Sequence, residues 1–302
     1  MNSPRILITG GTGLLGKTLL ETAPGGWQIW GTCHRNQPPQ EWEDRFFRLD
    51  MLDGKSIADL IGSLHPDVVI HTACVGSVDF AEQNPELVRK INVEGLKQVA
   101  RACHSRGSFL VLISSNAVFD GNSPPYSEES RTTSVNRYGQ IKIEAENWLR
   151  SSDLRHLIVR PILLYGWPLP GGRQNAVTRW LAQLEKNETI EAATDITTMP
   201  LFASNCTETI WNGIQRKRDG IVHVAGADRL TLYDFARETA RLFCYNERLI
   251  LPVRSSQMAG FAPRPKDTSF VTQRMQLEFG IRPMGVTEGL TQMLQSRITS
   301  PS

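Results

Sequence analysis

The chain has 302 residues, of which 40% are hydrophobic and 21% are charged, and its formal net charge is +2. A chain of this length and composition can bury a sizeable core, as a soluble globular protein does. The nearly neutral charge argues against a nucleic-acid or polyanion partner. No apolar run approaches the roughly 20 residues that a transmembrane helix needs, so we expect no membrane partner either.

The five cysteines lie far apart in the chain, and no two of them have CxxC spacing. This pattern predicts free thiols in a reducing compartment, without a disulfide framework and without a metal site. The first predicted strand begins within a few residues of Met1, which leaves no room for a signal peptide. We therefore expect a cytoplasmic protein.

The N-terminus carries a glycine-rich turn between a strand and a helix. The apolar run Arg5–Thr9 predicts a strand, and Lys17–Glu21 predicts the start of a helix. The sequence between them matches the dinucleotide-binding fingerprint, whose glycines allow a tight turn, approach of a pyrophosphate and close packing of helix on strand. N–H groups at the helix start then hold phosphates. Cofactor contacts are predicted in this turn at Gly10, Thr12, Gly13, Leu14, Leu15 and Gly16.

The second predicted strand, Gln28–Thr32, ends without the acidic residue that holds the ribose hydroxyls in NAD-binding proteins. Cys33-His34-Arg35 stands there instead. An arginine suits a 2′-phosphate and favours NADP over NAD, although Arg35 could also be an exposed residue that opens the Pro-rich turn after it. Further cofactor contacts are predicted after the strands, at His34, Arg35, Asp50, Met51, Thr72 and Ala73.

Strands and helices alternate through the first half of the chain. The other predicted strands there are Arg45–Leu49, Asp67–His71, Phe109–Ile113 and Leu157–Arg160, and the helices are Ser56–Leu64, Pro85–Ser105 and Asn136–Arg150. Repeated β-then-α units predict an α/β fold with a doubly wound parallel Rossmann sheet. We assign this Rossmann domain to residues 1–165, because proline and glycine become dense beyond them.

The rest of the chain, 166–302, predicts a smaller C-terminal substrate-binding domain. Its predicted helices are Gln174–Glu185, Cys206–Gln215 and Thr231–Phe243, and its short strands are Ile221–Val224 and Leu249–Leu251. Segments near 195–220 are candidates to pack back on the Rossmann domain.

Tyr138 and Lys142 are four residues apart in a predicted helix and therefore share one face of it. A nearby ammonium lowers the pKa of a phenol, which makes the phenol an acid or base that works near neutral pH. The same spacing is also typical of an exposed helix surface. The choice between these interpretations depends on the other motifs.

Taken together, the motifs resemble the extended short-chain dehydrogenase/reductase family. The resemblance depends on Thr9–Gly16, on Ile113-Ser-Ser-Asn-Ala-Val-Phe-Asp-Gly121 and on Tyr138-x-x-x-Lys142, in that order. Within the family, the chain is most similar to the branch of dTDP-4-dehydrorhamnose reductase and the regulatory β-subunit of methionine adenosyltransferase. Further matches are Ala81–Glu86, Ile91–Gly95, Arg160–Gly166 and Pro263–Ser269, so the similarity covers nearly the whole chain and is looser beyond residue 166.

The resemblance implies a role for each of four residues. Tyr138 would donate a proton, and Lys142 would lower its pKa and bind the nicotinamide ribose. Ser115 would hold the substrate carbonyl oxygen, and Asn92 would lie where a helix is opened for a proton relay. The alternatives are a turn residue at the strand end for Ser115 and an ordinary helix residue for Asn92.

Asn116 and Arg264 are candidate substrate contacts, the arginine for a diphosphate, although Arg264 could equally belong to a solvated loop. The run Asn116-Ala-Val-Phe-Asp-Gly121 lacks the aromatic that the rhamnose-type reductases carry at the position of Ala117. Thr198-Met-Pro-Leu-Phe202 also replaces a more polar segment. Both departures leave the identity of the sugar open.

The leading hypothesis is an NADPH-dependent reductase of a nucleotide-linked 4-keto-6-deoxysugar. A non-catalytic NADP-binding regulatory subunit is the alternative, and a nucleotide-sugar epimerase or dehydratase ranks last because Asn116 and Ala117 supply no acid. The apolar face of Ile141 and Trp148 fits a homodimer, or packing on the protein's own sheet.

Overall fold

The computed structural model describes residues 3–257 and 262–299. The strands of this part of the chain are β1 (Arg5–Thr9), β2 (Gln28–Cys33), β3 (Phe46–Arg48), β4 (Val68–His71), β5 (Phe109–Ile113), β6 (His156–Pro161), β7 (Leu164–Tyr165), β8 (Ile190–Ala193), β9 (Thr197–Thr198), β10 (Leu201–Phe202), β11 (Gly220–Val224), β12 (Leu230–Thr231) and β13 (Ile250–Val253).

The α-helices of the described residues are α1 (Leu14–Glu21), α2 (Gly54–Leu64), α3 (Val78–Gln83), α4 (Pro85–Arg89), α5 (Gly95–Arg106), α6 (Arg137–Arg150), α7 (Ala176–Leu184), α8 (Ala203–Gln215), α9 (Leu232–Leu242), α10 (Gln273–Leu277) and α11 (Val286–Thr299). A π-helical turn, Lys90–Glu94, joins α4 to α5. Short 3₁₀ helices lie at Gln40–Arg45, Asn116–Val118, Glu247–Leu249 and Ser255–Gln257. None of the helices described here is long and apolar enough to cross a membrane.

Seven strands form one parallel sheet in the order β11-β6-β5-β4-β1-β2-β3. The order reverses between β1 and β4, and open α/β sheets bind ligands at the carboxyl ends of the strands at such a point. The predicted fold class, an α/β protein with a doubly wound parallel sheet, is confirmed. The sheet therefore positions a site beyond the ends of β1, β4 and β5.

Both faces of the sheet are covered, as the continuous apolar strands require. On β1, Ile6 and Ile8 pack into one apolar layer with α1 and α8. Leu7 points to the opposite layer, which α2, α5 and α6 complete. Ile141 and Trp148 pack in that second layer, so the apolar face of α6 contacts the protein's own core.

The C-terminal half has a third apolar cluster, built by α7, α9, α11 and strands β8 and β13 around Trp180 and Phe235. Helix α8 instead contacts α1, where Thr22 Oγ1 donates to Thr207 Oγ1 at 2.9 Å. Strand β11, from the C-terminal half of the chain, pairs with β6 and so completes the central sheet. The domain boundary at residue 165 stays a prediction.

The single helix predicted over Pro85–Ser105 is wrong in one respect, because a π-helical turn interrupts it. Asn92 lies in this turn and its side chain binds the backbone of Val75 twice. Asn92 Nδ2 donates to Val75 O at 3.0 Å, and Val75 N donates to Asn92 Oδ1 at 2.8 Å. This pair of bonds links the widened turn to the segment that follows β4.

Candidate active site

The glycine turn between β1 and α1 leaves no room for a side chain at Gly10 or Gly16. Gly10 has φ +70°, and a Cβ on it would lie 2.8 Å from backbone atoms of Ala73. A Cβ on Gly16 would overlap the carbonyl oxygen of Gly10 and lie 2.7 Å from Gly11 Cα. Helix α1 starts at Leu14, earlier than predicted, and its N-cap Gly13 makes no side-chain hydrogen bond. Such a helix start presents backbone N–H groups to an anion.

Thr72 and Ala73 follow β4 and lie against Gly10 of this turn. The remaining predicted members of the turn, Thr12 and Leu15, are buried. Thr72 Oγ1 donates to Thr9 O at 2.7 Å and to Gly10 O at 3.2 Å. These bonds tie the ends of β1 and β4 together.

His34 and Arg35 follow β2 and are exposed. His34 Nε2 lies 3.6 Å from Asp50 Oδ2, while the adjacent Met51 is 7% exposed. These predicted cofactor contacts therefore follow the ends of β2 and β3, where His34 lies near Asp50.

Helix α6 carries Tyr138 and Lys142 into the core. Its N-cap Asn136 accepts a hydrogen bond from Gly139 N at 2.9 Å, which explains why the helix begins at Arg137. Tyr138 is 7% exposed and Lys142 is 3% exposed, so the interpretation as an exposed helix surface is wrong. Lys142 Nζ donates to Ile113 O at 2.9 Å and lies 5.8 Å from the centroid of the Tyr138 ring.

Burial raises the pKa of Tyr138, and the Lys142 ammonium and a hydrogen bond from Ser115 only partly oppose this effect. The net pKa of Tyr138 is therefore above its ordinary value, contrary to the lowering that we expected from Lys142 alone. Burial lowers the pKa of Lys142, but Cys74, Tyr138 and Glu146 raise it to a net value above the ordinary one. The pair is thus a protonated phenol beside an ammonium.

Ser115 follows β5 as the N-cap of a 3₁₀ turn that begins at Asn116 and packs on α6. Ser115 Oγ accepts from Ala117 N at 3.1 Å and caps this turn. Asn116 Nδ2 donates to Thr268 Oγ1 at 2.6 Å, which brings the C-terminal segment 262–271 to the site. Sequence analysis missed Thr268, although it lies within the matched run Pro263–Ser269.

Arg264, the predicted diphosphate contact, has a protein partner. Arg264 Nη2 donates to Asp79 Oδ2 at 2.9 Å, and Ala262 N donates to Asp79 Oδ1 at the same distance. Two residues near Tyr138 were also missed, Cys74 and Arg173. Cys74 raises the pKa of Lys142, and a Cβ on Gly76 would lie 3.2 Å from Arg173 Nη1. Their place is set by tertiary contacts, so no sequence pattern identifies them.

Among residues 3–257 and 262–299, no group of three or more His, Cys, Asp or Glu side chains could hold a metal ion.

The model of one protein family, the RmlD substrate binding domain, matches residues 4–298. The chain belongs to this family. The resemblance predicted from the glycine turn and the Tyr–Lys pair is confirmed, for both the reductase branch and the methionine adenosyltransferase subunit.

Three similar proteins illustrate the range of the relatives. Methionine adenosyltransferase 2 subunit beta from Bos taurus is 28% identical over 280 residues, 90% of this chain and 81% of that protein. The probable low-salt glycan biosynthesis reductase Agl14 from Haloferax volcanii is 26% identical over 279 residues, 90% of this chain and 91% of that protein. The crystal structure of dTDP-4-dehydrorhamnose reductase from Bacillus anthracis in complex with NADP has a TM-score of 0.87, 26% identity and coverage of 97% and 99% of the two chains.

Proposed function

We propose that this protein is an NADP-dependent reductase of a nucleotide-linked 4-keto-6-deoxysugar. The buried Tyr138–Lys142 pair beside Ser115, at the carboxyl ends of the central strands, is the observation that carries the proposal. The reductases from Bacillus anthracis and Haloferax volcanii among the similar proteins support the same reaction class.

The residues at the ends of β1 and β2 fit NADP. Gly10 and Gly16 let the turn pack tightly on its own backbone and on Ala73, and the start of α1, which no side chain caps, would hold a pyrophosphate on its N–H groups. Arg35 would bind the 2′-phosphate, because a guanidinium can donate two parallel hydrogen bonds to it. NADP bound to the similar reductase supports this choice. When bound, the reduced nicotinamide supplies the hydride.

The chain's own residues would handle the proton. Tyr138 donates its hydroxyl proton to the carbonyl oxygen, and its raised pKa keeps that proton in place until then. The Lys142 ammonium stabilises the phenolate that forms. Ser115 donates a hydrogen bond to the same carbonyl oxygen and polarises it.

Asn92 would maintain the path by which Tyr138 is reprotonated. Its side-chain amide is occupied by Val75 on both sides, so it holds the π-helical turn open and does not itself carry a proton. Such turns leave backbone carbonyls without their usual helical partners, where water can bind.

Two residues would contact the sugar nucleotide. Asn116 adjoins Ser115, and its amide already bridges to Thr268. Arg264 would contact a diphosphate while it remains beside Asp79, which fixes the guanidinium from behind.

The test is NADPH consumption by the purified protein with dTDP-4-dehydrorhamnose. Tyr138→Phe keeps the ring and removes the proton donor, so turnover falls by about a hundredfold or more. Tyr233→Phe, on α9, is the matched control and retains full activity. Equal activity of Tyr138→Phe and the unsubstituted protein would show the mechanism to be wrong.

A second function is favoured by the similarity to methionine adenosyltransferase 2 subunit beta. In that case the protein would bind NADP and regulate a partner enzyme without turning over a sugar. Three results together would support this function: calorimetry shows NADPH binding, keto-sugars cause no NADPH consumption, and a methionine adenosyltransferase co-elutes stably with the protein. Turnover lost in Tyr138→Phe would contradict it.

A further inference from the structure

Behind the Tyr138–Lys142 pair lies a buried ion pair between Glu146 and Arg160, each 1% exposed. Arg160 Nε lies 3.0 Å from Glu146 Oε1 and 3.2 Å from Oε2, and Arg160 Nη2 donates to Oε2 at 2.6 Å. Ser114 Oγ donates to Glu146 Oε1 as well. A buried ion pair adds little net stability because both charges lose their water, so stability alone is a poor reason for this pair.

The carboxylate belongs to the same helix face as the predicted proton donor. Tyr138, Lys142 and Glu146 follow one another at intervals of four residues on α6. Lys142 binds Ile113 O and Glu146 binds Ser114 Oγ, so two consecutive residues at the end of β5 are tied to this face. Ser115 is the next residue, and its distance from the phenol depends on both bonds.

We propose that Glu146 is a positioning residue whose carboxylate holds the Tyr138–Lys142 face of α6 in register with the end of β5. The proposal rests on the proposed reductase function and deepens it. The Glu146 carboxylate is engaged by Arg160 and Ser114, so it would act through Lys142 and Ser114.

A second set of contacts holds Arg160 from the other side. Arg160 Nη1 donates to His223 Nε2 at 3.2 Å, and His223 Nδ1 donates to Tyr126 O at 3.1 Å. The His223 ring stacks on Phe270 with centroids 3.9 Å apart, in the segment that also supplies Thr268. The guanidinium is thus held by His223 on one side and by the Glu146 carboxylate on the other.

Glu146 also supplies negative charge near Lys142. Tyr138 and Glu146 face the ammonium from α6, and Cys74 and the neutral His71 face it from the end of β4. Cys74 and Tyr138 carry negative charge only when deprotonated, whereas Glu146 is an ion-paired carboxylate. Removing that charge lowers the pKa of Lys142, because less negative charge then opposes the effect of burial.

The experiment replaces Glu146 by Gln, which keeps the size and removes the charge. We expect the alkaline limb of kcat/KM for keto-sugar reduction to move to lower pH by about one unit, because Lys142 loses its proton earlier. The ¹³Cε resonance of Lys142 can be assigned because it is absent from the spectrum of Lys142→Arg. Its titration midpoint should move to lower pH by the same amount as the alkaline limb. Glu146→Asp, which retains the charge, should restore the limb with a lower kcat.

Ser114→Ala separates the positioning contact from the charge, because it removes the hydrogen bond that Ser114 donates to Glu146 but leaves the carboxylate. Its kcat should fall while its alkaline limb stays in place. If Glu146→Gln does not fold, the double variant Glu146→Gln/Arg160→Met removes both charges and receives the same two measurements. The proposal is overturned if Glu146→Gln changes neither the alkaline limb nor the titration of the Lys142 resonance and only lowers the melting temperature. Absence of turnover in the unsubstituted protein would refute the reductase function, whereas the NMR titration would still test the link between Glu146 and Lys142.

Discussion

Two buried histidines should make the folded protein sensitive to mild acid. His71 is 3% exposed and His223 is 0% exposed. Burial lowers the pKa of each to about 3, and the charges of Lys142 and Arg160 respectively lower it as well. Both rings are therefore neutral in the folded protein.

The hydrogen bonds of His223 show why protonation is unfavourable. Arg160 Nη1 donates to His223 Nε2, so this nitrogen must be the acceptor and Nδ1 must carry the proton. A protonated ring would place an N–H group directly against the guanidinium. Protonation thus breaks a bond and adds a repulsion between two cations.

The magnitude follows from the two pKa values. The ordinary histidine pKa of 6.5 applies in the unfolded chain, so between about 3 and 6.5 the unfolded state binds two more protons than the folded state. The contribution of the two histidines to the free energy of unfolding is therefore complete above pH 6.5, and it falls as the pH decreases through this window. Each histidine contributes about 1.4 kcal/mol per pH unit, which amounts to about 4 kcal/mol for both at pH 5. Typical domains have only about 5–15 kcal/mol of stability.

The assay is urea unfolding, followed by tryptophan fluorescence, at pH values from 7 to 5. The free energy of unfolding should drop across this range, and His223→Gln should lose about half of the drop because one titrating ring is gone. His104→Gln, at an exposed position on α5, is the control and keeps the full dependence. A free energy of unfolding that does not change from pH 7 to 5, or an unchanged slope in His223→Gln, would refute the reasoning.

Three further predictions concern ligand binding. Gly16→Ala places a Cβ against Gly10, so NADPH binding measured by calorimetry should weaken at least about tenfold. Gly25→Ala is the control, because a Cβ there meets nothing within 4 Å, and it should bind NADPH normally. Arg35→Ala should raise the KM for NADPH roughly tenfold and leave that for NADH unchanged, because one charge-assisted contact is lost; equal effects on both cofactors would contradict it. Thr268→Val removes the partner of the Asn116 amide and should raise the KM for the sugar nucleotide a few-fold, with NADPH affinity as the unaffected reference.

The features that the sequence predicts well are local ones. The strand–glycine–helix order at Arg5–Glu21 needs no distant contact, because backbone conformation and apolar spacing determine it. The same holds for the four-residue interval between Tyr138 and Lys142, which places both side chains on one helix face in any fold.

Tertiary structure alone decides what those side chains meet. The π-helical turn at Asn92 depends on Val75, seventeen residues away, and the edge position of β11 depends on pairing with β6. Arg264 is engaged by Asp79 from the other half of the chain. Neither spacing nor residue type indicates that such partners meet.

The electrostatic state of the site shows the same limit. Sequence spacing indicates that Lys142 lowers the pKa of Tyr138, but the net direction is upward because burial acts more strongly. The helical pattern likewise gives no reason to single out Glu146, because its contacts with Ser114 and Arg160 form only in the folded core. The sequence by itself determined which groups α6 presents. The tertiary structure determined their chemistry, because it sets how deeply they are buried and which charges surround them. Desolvation and Coulomb interactions both depend on distances in three dimensions.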